Sequence, residues 1–207
     1  MTTTKTDNPA DHQRTRLTSP WTFRQRCLRY LWYWVEATAF RLSPRSFYPW
    51  RSFLLRLFGA KIDQRCRIRP SVKIEVPWNL TVGTDTIIGD DVILYCLGPV
   101  TIGQRVTISQ LGHVCAGTHD YTRPDFPLLR PPIAIADDVW LAADVFVGPG
   151  VKIGTGAVVG ARSSVFQDLP PWQICVGSPA KPIKERKMMV PDREIAGAEK
   201  DRPPVTE

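Results

Sequence analysis

The chain has 207 residues, 43% hydrophobic and 23% charged, a composition that excludes a mainly disordered protein and allows one sizeable core with an appended element. Its five cysteines, Cys27, Cys66, Cys96, Cys115 and Cys175, are odd in number, far apart and free of any CxxC pair, which excludes a disulfide framework or zinc knuckle and points to a reducing, cytoplasmic setting. The net charge of +7 is concentrated: residues 21–58 hold seven arginines against one acid, Glu36, whereas residues 59–207 balance at 17 against 17.

Residues 1–19 are polar, lack the apolar stretch of a signal peptide and read as a disordered N-terminus. Residues 20–58 form a basic, aromatic segment with helical potential. A first helix is expected to start near Ser19-Pro20 and stop by Ser43-Pro44, and a second to occupy Pro49 to Phe58 before Gly59. The most apolar run here, "YLWYWVEATAF", is about eleven residues long and too short to span a bilayer. Two roles suit the segment: a cover for the element that follows, and peripheral contact with a membrane, where arginines meet anionic headgroups and aromatics sit at the acyl boundary. Nucleic acid is the other acidic partner to weigh, but no binding motif accompanies the charge, so none is expected.

From Ile62 an aliphatic residue recurs every sixth position. The series runs Ile62, Ile68, Ile74, Leu80, then Ile88, Leu94, then Ile102, Ile108, Val114, and resumes as Ile135, Leu141, Val147, Ile153, Val159 and Val165. Two extra residues fall between Leu80 and Ile88 and again between Leu94 and Ile102. Six is the wrong period for a helix and too regular for a β-sandwich; it predicts a solenoid in which each repeat is one short strand and a turn, three repeats closing a triangular coil. Residues 59–187 are assigned to this unit and residues 188–207, polar with several prolines, to a loose tail.

The beat stops once, at "HVCAGTHDYTRPDFPLLRPPIAI". From Asp120 to Pro132 the chain must leave the coil, stiffened by four prolines, and a long loop on a rigid scaffold is where a functional pocket is built. His119 stands at its take-off point, and imidazole titrates near neutral pH, as a general base must.

The stretches "PWNLTVG", "TISQLGHVCAGTHDY", "VWLAADVFVGPGVKIGTGAVVGARSSVF" and "DLPPWQICVGSPAKPIKER" resemble the hexapeptide-repeat acyltransferases, and among them the colanic-acid-biosynthesis type of O-acetyltransferase, over roughly residues 20–187. That resemblance implies a mainly β, left-handed parallel β-helix; the hand comes from it alone, since parallel connections are normally right-handed. It implies acetyl-CoA as acyl donor, a sugar hydroxyl of an exopolysaccharide or lipid-linked glycan precursor as acceptor, and His119 as general base with Asp120 orienting it or binding acceptor. Acyl transfer to an amino group and a non-catalytic membrane-associated scaffold are the competing readings. The resemblance further implies that Trp140, Ala142, Gly160 and Ala161 line the pantetheine arm and that Lys181, Lys184 and Arg186 meet the nucleotide phosphates. Tyr121, Arg123, Asp125 and Phe126 of the loop are the acceptor-binding side chains of this reading. At Gln167 the chain departs from the lysine common in the family, which removes one cation, and "ILYCLGPV" offers no polar side chain for an oxyanion, leaving a backbone N–H to serve. The family's homotrimer, with sites between subunits, is implied as well. His113 invites a metal reading, but it lies one side of the triangle from His119 and the third histidine, His12, sits in the polar N-terminus, so no metal is expected.

Overall fold

Each repeat places a polar residue outward and an aliphatic one inward: Lys61–Ile62, Arg67–Ile68 and Lys73–Ile74 are the three sides of the first coil, and in each the second residue is buried. The structure, a computed structural model, describes residues 21–188. The disordered N-terminus expected at 1–19 lies outside the described residues, as does all but Met188 of the tail expected at 188–207.

Such short strands have no stability alone and gain it by stacking. Three parallel sheets form the faces of a triangular prism. Face A aligns Ile62, Val82, Ile102, Ile135 and Ile153; face B aligns Ile68, Ile88, Ile108, Leu141, Val159 and Cys175; face C aligns Ile74, Leu94, Val114, Val147 and Val165. All of these are buried and together they fill the axis. The registers correct one detail of the six-residue count: the partner of Ile62 is Val82, not Leu80. Leu80 is buried at the start of its strand, but the two-residue insertion lies before it, between Ile74 and Val82. With this change every departure from the beat, 74 to 82, 94 to 102 and 114 to 135, falls on one edge of the prism, where face C turns into face A.

At the other edges the chain turns through a left-handed residue, such as Asp85, Asp91, Arg105, Asp138, Asp144 and Arg162, with φ between 54° and 60°. Aspartate tolerates this region better than most side chains. On the A–B edge these residues stack as ion pairs: Arg65 grips Asp85 at 2.6 Å through two nitrogens, and Arg105 grips Asp138 at 2.7 and 2.8 Å.

The first coil exposes a row of strand carbonyls, and the N-terminal helices close it. Helix α1 spans Phe23–Val35 and continues as one π-helical turn, Glu36–Phe40; helix α2 spans Tyr48–Leu57. One side-chain N–H serves each face: Arg56 Nε donates to the Ile62 carbonyl at 2.8 Å, Arg51 Nε to Ile68 at 2.7 Å, and Trp32 Nε1 to Ile74 at 2.6 Å. Glu36 accepts the Ile74 N–H at 2.7 Å, and burial pushes its carboxyl above the usual range. Arg51 is wholly buried, its guanidinium also donating to Ser43 Oγ and to the carbonyls of Pro44 and Arg45. The covering role expected of this segment is thus built into the fold through residues 21–58. The first helix starts later than Ser19-Pro20 suggested, because Thr22 and Gln25 form a capping box three residues on.

At the far end, the hairpin Gln173–Gly177 and Ala180–Glu185 extends face B. Trp172 lies so close over Gly156 that a Cβ there would meet its ring at 2.5 Å, so this position, at φ +68°, admits only glycine.

Candidate active site

The C–A edge carries the loop. Asn79 Nδ2 bridges the carbonyls of Cys96 and Leu97 at 3.0 and 2.9 Å, and Gly98 N–H donates to Ala116 at 2.7 Å, so the turn beneath the loop is tied to the coils on either side. The loop then leaves as a small antiparallel ladder, Thr118–His119 against Leu128–Leu129.

His119 is exposed at the end of that ladder. Its Nδ1 lies 2.9 Å from the Phe126 carbonyl, and its ring stacks on the Phe126 ring with centroids 4.6 Å apart and planes within 10°. A carbonyl oxygen only accepts, so Nδ1 is the donor of this bond, and in the neutral tautomer that makes it Nε2 is the acceptor. Phe126 achieves this from a left-handed conformation, φ +48°, which is costly for an aromatic residue. Assigned above to acceptor binding, Phe126 serves the imidazole from both its carbonyl and its ring.

Asp120 does not hold the imidazole. Its carboxylate accepts from Thr122 N–H at 3.0 Å and Thr122 Oγ1 at 2.6 Å, and these bonds hold its pKa below the ordinary aspartate value, while the imidazole Nδ1 is engaged by the Phe126 carbonyl. Arg123 and Asp125 pair with each other at 2.9 and 2.7 Å, and Tyr121 projects into solvent at 85% exposure.

The cofactor residues lie elsewhere. Trp140 stands half-exposed on face B with Nε1 3.1 Å from Ser109 Oγ, and Ala142, Gly160 and Ala161 follow on the B–C edge. Ala142 N–H is spent on the Val159 carbonyl at 2.9 Å and Gly160 N–H on Cys175 at 2.8 Å. Among the described residues no backbone bond joins Ala161 N–H to the Ala142 carbonyl, the next rung in this series. A Cβ on Gly160 would come within 2.7 Å of Val176 Cγ1, which fixes how closely the hairpin lies on that edge.

Lys181 pairs in register with Val176 at the B–C end of the hairpin and Lys184 with Ile174 farther along; both are exposed. Arg186 is placed differently from the expectation. Its Nη1 donates to the carbonyls of Asp138 and Gly156 at 2.8 and 2.9 Å and its guanidinium lies 5.8 Å from the Trp172 ring, which fastens it to the A–B edge across the face from Ala142. It anchors the hairpin.

His113 lies half-buried on the outside of face C, its ring edge-on to Phe146 at 5.4 Å. Its Nε2 is buried with no hydrogen-bond partner among the described residues, and burial lowers its pKa. Among the described residues no group of three or more His, Cys, Asp or Glu is placed to hold a metal ion.

One chain therefore divides the expected site. His119 is on the C–A edge and the Ala142–Ala161 groups are on the B–C edge, one side of the prism apart, on the order of 15 Å for about five extended residues. A cavity of about 610 Å³ lined by Tyr48, Arg56, Gln64, Arg67 and Asp85 beneath α2 shares no residue with either half. The site residues that the sequence did not reveal are the supports Asn79 and Gly98; the Gly98-Pro99 pair directly beside an insertion was the available signal.

No protein-family model matches the chain. It is 55% identical over 156 residues, 75% of its own length and 86% of the other, to an Escherichia coli (strain K12) protein named as a colanic acid biosynthesis acetyltransferase. It is 30% identical over 142 residues, 65% of this chain and 68% of the other, to the galactoside O-acetyltransferase of the same organism. Among solved structures, a hexapeptide-repeat containing acetyltransferase of Vibrio cholerae complexed with acetyl coenzyme A superposes with a TM-score of 0.66 at 26% identity, covering 86% of this chain and 99% of that one. The solenoid matches the left-handed β-helix of such enzymes. Identity over most of the first relative's length, joined to a prism of six-residue repeats, places this chain in the hexapeptide-repeat acetyltransferase family, beside the colanic acid biosynthesis acetyltransferases.

Proposed function

We propose that the protein transfers the acetyl group of acetyl-CoA to a sugar hydroxyl of an exopolysaccharide or lipid-linked glycan precursor, with His119 as general base. The observation that carries this reading is the 2.9 Å contact between His119 Nδ1 and the Phe126 carbonyl, which makes Nδ1 the donor and assigns the acceptor role of the neutral imidazole to Nε2. In the proposed reaction Nε2 takes the hydroxyl proton as the oxygen attacks the thioester carbonyl. The tetrahedral intermediate collapses with cleavage of the carbon–sulfur bond, and the imidazolium returns the proton to the departing CoA thiolate. Such a base supplies about 100- to 10,000-fold, and holding the two substrates together supplies more. The scheme calls on no metal.

The Ala142 carbonyl and Ala161 N–H, which are not bonded to each other, are the groups proposed to bind the amides of the pantetheine arm, with Trp140 and Gly160 as the adjoining wall and Lys181 and Lys184 as the cations for the phosphates. The B–C edge of one chain and His119 of another would complete a site if three copies assemble with edges adjoining, and the separation of the two halves within one chain supports the homotrimer. Tyr121, with the Arg123–Asp125 pair and Asp120, forms the acceptor side of the loop. The enzyme is placed in the cytoplasm, with residues 20–58 making peripheral contact with the inner face of the membrane where lipid-linked precursors reside. Among the described residues no helix is long and apolar enough to cross a membrane.

A mass-spectrometric screen for acetylated products, with acetyl-CoA and a panel of glycan precursors, tests the proposal. A mass gain of one acetyl group on a sugar hydroxyl is the expected result; acetylation confined to amino sugars would replace the O-acetyl assignment, and no product with CoA unbound would reject it.

A further inference from the structure

Helix α1 is amphipathic the wrong way round for a helix with only solvent outside. Trp32, on its inner side, is buried against the coil, yet Phe23 (76% exposed), Tyr30 (73%), Leu31 (53%) and Trp34 (66%) lie on the outer side, with exposed Cys27 among them. At 100° per residue these five form one stripe, and Arg24 and Arg26 fall on its two flanks. The one acid of the segment, Glu36, is turned inward to the Ile74 N–H, and Arg29, Arg45, Arg51 and Arg56 are engaged within the fold. Arg24, Arg26 and Arg41 form no ion pair among the described residues.

We infer that this outer face of α1 docks on an anionic lipid bilayer, aromatics at the acyl boundary and the flanking arginines among the headgroup phosphates. The inference deepens the membrane contact proposed for residues 20–58 and rests on that reading. Charge complementarity selects lipid. Nucleic acid would call for cations along the middle of the face, not at its rim, and a second copy meeting the same stripe would set Arg24, Arg26 and Arg41 against their own kind. A cleft of about 160 Å³ beside the stripe, lined by Trp21, Arg26, Arg29, Tyr30 and Tyr33, offers a lipid phosphate a cationic and aromatic wall. The same end of the helix touches the loop that carries His119: the Trp21 ring lies 4.6 Å from the Arg29 guanidinium and 4.0 Å from that of Arg130. A docked helix would thus hold the loop close to the surface from which a lipid-linked acceptor arrives.

The test uses the full chain and its own thiol, Cys27, at the centre of the stripe. Flotation with phosphatidylglycerol vesicles and with phosphatidylcholine vesicles at low salt is combined with labelling by a water-soluble maleimide. The expected outcome is flotation with the anionic vesicles only, with Cys27 labelled slowly there and rapidly in buffer. Arg24→Gln with Arg26→Gln should lower partitioning by about 25-fold, at about fivefold for each cation near an anionic leaflet. Tyr30→Ser with Trp34→Ser should abolish flotation. Both double variants should keep the wild-type melting temperature and turnover of a water-soluble acceptor, which separates failure of docking from failure of acyl transfer. Absent flotation, or Cys27 labelling indifferent to the vesicles, overturns the inference; so does a Tyr30→Ser/Trp34→Ser chain of altered oligomeric state, which would assign the face to a second copy.

Discussion

Substituting Gly98 by alanine should damage catalysis without touching any group proposed to react. Gly98 sits under the loop with its N–H on the Ala116 carbonyl, and a methyl group there would lie 2.5 Å from the Arg130 oxygen, 2.8 Å from the Arg130 carbonyl carbon and 3.0 Å from the Ala116 oxygen. All three are backbone atoms, so no side chain can swing aside. An ordinary carbon–oxygen contact is about 3.3 Å, so the returning strand of the loop must move by about 0.8 Å. That strand is paired with the one bearing His119, Leu128 opposite His119 and Leu129 opposite Thr118, and the shift passes directly to the imidazole. Misplacement by about 1 Å costs on the order of 100-fold in rate, so kcat should fall about 10- to 100-fold. The acetyl-CoA KM should be nearly unchanged, because the groove residues stand on another edge. Overpacking of this kind costs about 1–3 kcal/mol, a melting shift of about 2–10 °C. Steady-state release of CoA thiol with the identified acceptor, together with a thermal melt, reads both quantities. A Gly98→Ala enzyme with wild-type kcat would refute the claim that the C–A edge positions the base.

Trp32→Phe should lower stability by about 1–3 kcal/mol in a denaturant melt, since it leaves the Ile74 carbonyl at the end of the prism without its donor. Burial lowers the His113 pKa from 6.5, so the unfolded chain binds its proton more readily than the folded one; melting temperature should fall as pH drops below about 6.5, and His113→Gln should flatten that slope. Lys181→Ala with Lys184→Ala should raise the acetyl-CoA KM about tenfold with kcat retained, as measured by thiol release; a kcat effect instead would place these cations elsewhere than on the nucleotide.

The aliphatic beat made the prism legible before any coordinates, because an axis that admits one side chain per face leaves a strict period in the chain. Its phase at Leu80 was not legible: Leu80 and Val82 are both aliphatic and both buried, and only pairing with Ile62 tells them apart. The exposed place of His119 beside a loop was legible because a break in the beat marks a loop, whereas the contact of Phe126 with its ring depends on a turn that brings residues seven apart face to face, and no periodicity records that. The arginines show the same limit. Composition grouped Arg24, Arg26 and Arg51 as one basic segment, yet the first two face solvent and the third is sealed beneath the first coil by four hydrogen bonds. Arg186, a phosphate candidate by the family resemblance, ties the terminal hairpin to two backbone carbonyls distant in the chain, contacts that no local pattern records.

In the proposed reaction Nε2 of His119 removes the acceptor proton. Turnover of the identified acceptor by His119→Ala, measured alongside its acetyl-CoA affinity, tests this most directly. The prediction is a loss of about 100- to 10,000-fold in kcat with CoA binding preserved; a variant that acetylates the acceptor at the wild-type rate would contradict it.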